Sequence, residues 1–127
     1  MARHGDITLG WADGEYLFRL AWAQLLALQE ACDAGPQHIL DRLCGRQWRL
    51  QDVEQVLFLG LVGGGMDRAE ARRLMRAHVH DQPLAENLLV AQAVLAAALL
   101  GPGDEALDDL PGKPAAGETT RPFPAES

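Results

Sequence analysis

Three clusters in this chain carry residue types that could do chemistry. The first is Gly60–Asp67, GLVGGGMD. Gly60 and Gly65 have the spacing of a phosphate-binding loop, G-x-x-x-x-G-K-[ST], whose backbone N–H groups and lysine cradle phosphate oxygens. Here the next two residues are Met66 and Asp67, where that loop needs a lysine and a hydroxyl. An aspartate repels phosphate, so the glycines read as architecture: a tight reversal, with positive φ open to Gly63, Gly64 and Gly65. A G-x-G-x-x-G reading fails as well, because it would require glycine at Arg68.

The second cluster is the thiols and imidazoles. Cys32 and Cys44 sit within apolar helical patterns and lack C-x-x-C spacing, so they read as reduced, buried thiols. His78 and His80 flank Val79, and two residues apart on a helix they point in different directions, which makes a poor metal pair. His38 reads as a lone surface histidine. No nucleophile, base and orienting group share a recognisable spacing. The chain is therefore expected to be no enzyme and to have no catalytic residue, cofactor or metal. The third cluster is Arg68, Arg72 and Arg76, an i, i+4, i+8 stripe with Arg73 alongside. It is either a solvated face or a docking surface, for an acidic partner or for the acidic end of the chain itself. A nucleic-acid contact through the four arginines is a further reading, whose mark would be salt-sensitive binding.

Charge bears on that choice. The 127 residues hold 11 Lys+Arg against 18 Asp+Glu, a net of −7. Residues 101–127 hold six acids and two bases, or −4, and residues 1–100 hold twelve acids and nine bases, or −3. Such a balance argues against general affinity for nucleic acid or anionic membranes. The N-terminus has no apolar core of a secretory signal. The longest apolar stretch, Leu88–Leu100, is broken by Gln92 and is shorter than the roughly 18 residues a membrane span needs. The expectation is a soluble cytoplasmic protein.

The elements that position these clusters can be read in order. Around Asp13-Gly14, residues 6–20 read as a β-hairpin with those two residues at the turn. Trp11 then pairs with Tyr16, Leu9 with Phe18 and Ile7 with Leu20. Ile7, Leu9, Trp11, Tyr16, Phe18 and Leu20 share one face, with Leu17 the exception on the other. An isolated hairpin is marginal in water, so helices or another molecule must cover that face. Ala21–Ala34 follows as a helix with a stripe at Trp22, Leu25, Leu26, Gln29 and Cys32, stopped by Gly35-Pro36. Pro36 opens a short helix with Ile39, Leu40, Leu43 and Cys44 on one side.

Leu50–Val62 reads as a central helix whose last turns, VLFLGLV, are apolar all round. Taken alone those seven residues could be a strand; the helical phase upstream favours helix. Asp67 to Glu70 is a variant capping box that starts a helix to about His80, with Ala71, Leu74, Met75 and Val79 inward. Asp81-Gln82-Pro83 breaks it. The next helix runs on Leu84, Leu88, Ala91, Leu95 and Leu99 and ends at Gly101-Pro102-Gly103. The expected fold is mainly α: an N-terminal β-hairpin packed on a bundle of about five helices, one domain over 1–100. Residues 101–127, acidic and rich in proline, are expected to be a disordered tail.

The ordered series GLVGGGMDRAEARRLMRAHVHDQPLAENLLVAQAVLAAALLG resembles the tail assembly chaperone-like family of gene transfer agents and siphophage tails, also catalogued as a phage tail tube protein family. Its members run from a hairpin with a central D/N-G to an apolar stretch ending in G-G-G-M. An S/D-x-x-E-A helix start, a V-D-x-x-P-L break, an Ala/Leu-rich helix and a tail with G-K-P follow. Asp13-Gly14, Gly63–Met66, Asp67–Ala71, His80–Leu84 and Gly112-Lys113-Pro114 are the counterparts, covering about residues 5–117. The histidines before Asp81 and the aromatic-rich hairpin depart from that pattern. The resemblance implies a non-enzymatic factor that keeps the tape measure protein soluble during tail assembly, or else a tube component retained in the particle. Partners would be the tape measure protein or other tail proteins, with a homo-oligomer left open. The residues expected to meet a partner are Trp11, Tyr16, Phe18, Arg68, Arg72 and Arg76.

Overall fold

The computed structural model describes residues 5–101. Beyond Gly101, the tail expected at 101–127 lies outside them. Two strands, β1 (Ile7–Trp11) and β2 (Gly14–Phe18), precede five helices: α1 (Trp22–Cys32), α2 (Pro36–Cys44), α3 (Leu50–Gly63), α4 (Arg68–His78) and α5 (Ala85–Leu100). The fold is the expected hairpin on five helices. At its centre α3 packs against α1, α4, α5 and β2, while α2 and β1 lie against α5. The run from Val56 to Leu61 is buried at every position, as an apolar-all-round helix must be.

The antiparallel hairpin pairs Ile7 with Phe18, Leu9 with Tyr16 and Trp11 with Gly14. This corrects the expected register, which placed each residue of β1 against a partner two positions later. The loop is Ala12-Asp13, and the positive φ falls on Ala12 (56°), not on Gly14. A non-glycine residue in the left-handed region costs about 1–2 kcal/mol. Just past β2 the Arg19 N–H donates to the Gly60 carbonyl at 2.9 Å, tying the end of the hairpin to α3. The Tyr16 hydroxyl donates to Asp13 across the loop, and this bond holds the Asp13 carboxyl below its usual range. Because the register moved by two, every side chain keeps its face. Ile7, Trp11, Phe18 and Leu20 are buried and Leu17 is exposed.

The glycine turn also differs from expectation. Gly63 ends α3, and Gly64 caps it at φ −78°, an ordinary right-handed value. Only Gly65 has positive φ, 109°. What Gly63 and Gly64 supply is space: a Cβ on Gly63 would collide with the Arg19 carbonyl oxygen, and one on Gly64 with that of Leu17. Phe18 and Val94 side chains crowd Gly60 in the same way, at 3.0 and 3.2 Å from where its Cβ would be. The end of α3 is a bare backbone surface on which β2 lies.

Helix α1 corrects the expected stripe. Leu28 and Cys32 are its buried residues, with Gln24 and Leu25 half-buried, whereas Trp22 is 77% exposed and Leu26 44%. Its left-handed C-cap is Asp33 (φ 54°), which tolerates that region, while Gly35 serves α2 as N-cap ahead of Pro36. In α5, Ala91 and Leu95 are buried as expected, but Asn87, Val94, Ala96 and Ala97 join them and Leu84, Leu88 and Leu99 are only half-buried. Asn87 is a buried polar hub. It accepts from the Trp11 indole N–H at 2.7 Å and donates to the His78 carbonyl at 3.1 Å, linking the hairpin to α5 and the end of α4.

Candidate functional site: an arginine-walled groove

The helix that carries the arginines is started by Asp67, whose carboxylate accepts from the N–H groups of Ala69 (3.0 Å) and Glu70 (3.3 Å). The other half of the expected capping box is replaced: Glu70 takes two bonds from Arg73 at 2.9 and 2.5 Å. Ala71, Leu74, Met75 and Val79 face inward as expected. That phase turns Arg68, Arg72 and Arg76 outward along one edge, and Arg73 away from them to Glu70.

The edge borders a groove of about 480 Å³. Ala27 and Ala31 of α1 form the opposite wall, and Phe58, Leu59 and Met75 supply an apolar floor. The Arg68 and Arg72 guanidinium carbons lie 5.2 and 5.1 Å from the Phe58 ring centroid, a cation–π geometry for both. Among the described residues none of the three arginines has an ion-pair partner. Three like charges spaced about 6 Å apart, one helical turn, repel one another. At the far end Glu54 meets His80 at 2.7 Å, and beyond that pair a second recess of about 380 Å³ continues toward Leu50, which is 65% exposed.

The hairpin residues expected to meet a partner are placed differently. Trp11 and Phe18 belong to the core, where Trp11 stands edge-on to Tyr16, Phe18 and His78 at 5.6–6.1 Å, and Tyr16 is half-buried. Helices, then, cover the hairpin face. The structure brings Arg68, Arg72 and Arg76 together in one groove and leaves the three aromatics outside it. Phe58 is the groove residue that sequence reasoning missed, since its place in an all-apolar run gave no sign of which side the arginines would cover. Trp22 was missed as a surface residue for a related reason.

The remaining reactive types do not converge. His78 leans on Trp11 while His80 pairs with Glu54. Both cysteines are free. Burial, followed by the charge of Asp52, pushes the Cys32 thiol from 9.0 up to about 12, and burial also raises Cys44. Native chain treated with iodoacetamide near neutral pH should therefore keep Cys32 unmodified, with labelling there only after denaturation, as read by intact mass. Because Cys32 holds its proton longer folded than unfolded, its contribution to stability should fall as pH rises from about 9 to about 12.

Fold and groove together define a small, mainly helical protein with an arginine-walled groove on its surface. Among the described residues no group of three or more His, Cys, Asp or Glu could hold a metal ion, and no helix is long and apolar enough to cross a membrane. Residues 4–101 match the family model described as phage tail tube protein, GTA-gp10, and the chain belongs to this family. Its role lies with phage tails. Comparison with curated proteins and with solved structures returns no match.

Proposed function

We propose that the chain is a tail assembly chaperone that holds a tail protein, the tape measure protein first among them, by seating an amphipathic helix in the groove between α1 and α4. The observation that carries this is the stripe Arg68, Arg72 and Arg76 above the Phe58 floor, unpaired among the described residues. A client helix with acids one turn apart would neutralise all three arginines and lay its apolar edge on Ala27, Ala31 and the arginine stems, above the already buried Phe58, Leu59 and Met75. Small Ala27 and Ala31 let a helix backbone approach closely. An apolar floor suits a helix face better than a phosphate backbone, which disfavours the nucleic-acid reading. The chain would work in the cytoplasm of the producing cell.

Co-expression tests this. A tape measure protein that precipitates alone should stay soluble with this chain and copurify with it; unchanged solubility would count against the role. The second reading is a tube component retained in the particle, and the family's description favours it. Stoichiometric presence in purified particles by mass spectrometry would select that reading over the first.

A further inference from the structure

We infer that in the free protein the groove is occupied by the end of the chain's own acidic segment DEALDDL, Leu107–Leu110, which a client must displace. The inference takes from the proposed function the groove as a helix-binding surface, and not the identity of the client.

Charge is the first support. Residues 104–110 hold four acids and no base, a net of −4, while residues 111–127 hold two acids and two bases, a net of 0. All the excess negative charge past Gly101 is therefore concentrated next to the last described residue. It lies beside two leucines, Leu107 and Leu110, spaced i, i+3. In a helical turn those leucines form one edge flanked by acids, the complement of an apolar floor under an arginine wall.

Reach is the second. Gly101 and Leu100 line a recess with Trp22, at the start of α1. The groove begins five residues further along that helix, at Ala27, and extends to Ala31. At 1.5 Å per residue the two features are about 7–14 Å apart along the axis. Trp22 and Ala31 lie about half a turn apart around the helix, so the path must also cross α1, which is about 10 Å wide with its side chains. The whole path is then roughly 15–20 Å, and residues 102–106, extended at about 3.3 Å each, cover about 17 Å, which brings Leu107–Leu110 to the groove. Leu26, exposed on that outer face, lies on the way. Tethering by so short a linker gives an effective concentration on the order of millimolar, so even a weak contact would be populated.

The test reads the side-chain Nε–H resonances of arginine in the ¹⁵N-labelled full chain and two full-length variants. One carries Asp104→Asn, Glu105→Gln, Asp108→Asn and Asp109→Asn; the other carries Leu107→Ser and Leu110→Ser. Both should shift Arg68, Arg72 and Arg76 in the same direction and leave Arg42 and Arg73 in place, and dilution of the native chain should change nothing. Three results would overturn the inference: no shift in either variant; a shift in the charge variant alone, which marks a long-range field without docking; or shifts in the native chain that depend on concentration, which mark the segment of a second copy. If the resonances stay still while client binding depends on the arginines, the groove reading stands and this inference falls.

Discussion

Replacing Asp52 by alanine should cost about 3–5 kcal/mol of folding stability, read from urea or thermal denaturation. Asp52 is fully buried in the first turn of α3, and its carboxylate accepts from Arg42 Nε at 3.0 Å, Arg42 Nη2 at 2.6 Å and the Arg49 N–H at 2.9 Å. Arg42 is itself buried, and Nη2 also donates to the Cys32 carbonyl at 3.3 Å. One ion pair therefore joins the end of α1, the last turn of α2 and the start of α3. Removing the carboxylate leaves a guanidinium charge in the interior and the first turn of α3 short of an acceptor, and these penalties make up most of the loss. Replacing both partners with apolar residues of similar size should cost far less than either single change, because no charge is then left uncompensated.

The other large effect belongs to the glycines. Gly63→Ala and Gly64→Ala should each destabilise by at least the roughly 1–3 kcal/mol of ordinary overpacking. The obstacle here is backbone carbonyl, from Arg19 and Leu17, and it cannot rotate aside as a side chain does. Relief requires β2 to lift from α3, which breaks the Arg19-to-Gly60 hydrogen bond and opens Phe18 to water. β-Branched residues at both positions should prevent folding. Gly10→Ala is the control: nothing lies within 4 Å of its added Cβ, so it should change the melting temperature little. If Gly64→Ala melts like Gly10→Ala, the close approach of the strand to the helix is not a determinant of stability.

These two effects mark where sequence reading succeeds and where it stops. Elements and faces with a strong period are legible: the hairpin face survives a register error because its period is two, and the inward side of α4 survives because its polar and apolar halves are distinct. Helix α1 is apolar nearly all round, so its pattern had no unique phase, and Trp22 was turned inward in error. A glycine run can mean positive φ or lack of space, and only the position of β2 shows that Gly63 and Gly64 serve the second. Arg42 and Asp52 are ten residues apart on different helices, a pairing with no local signal. The same holds for the groove. Its arginines were visible as a stripe, but Phe58, Ala27 and Ala31 reach it from two other helices.

The central claim is that the arginine wall grips a tail protein. Its most direct measurement is copurification of the tape measure protein with the native chain and with the variant Arg68→Glu, Arg72→Glu, Arg76→Glu. All three residues are exposed and make no ion pair among the described residues, so the variant should still fold, with about 1–2 kcal/mol of stability lost with the two cation–π contacts to Phe58. Losing and inverting these contacts should weaken client binding by about 2–5 kcal/mol or more, enough to leave the tape measure protein in the pellet. A variant that folds and still holds its client in solution as well as the native chain would contradict the account.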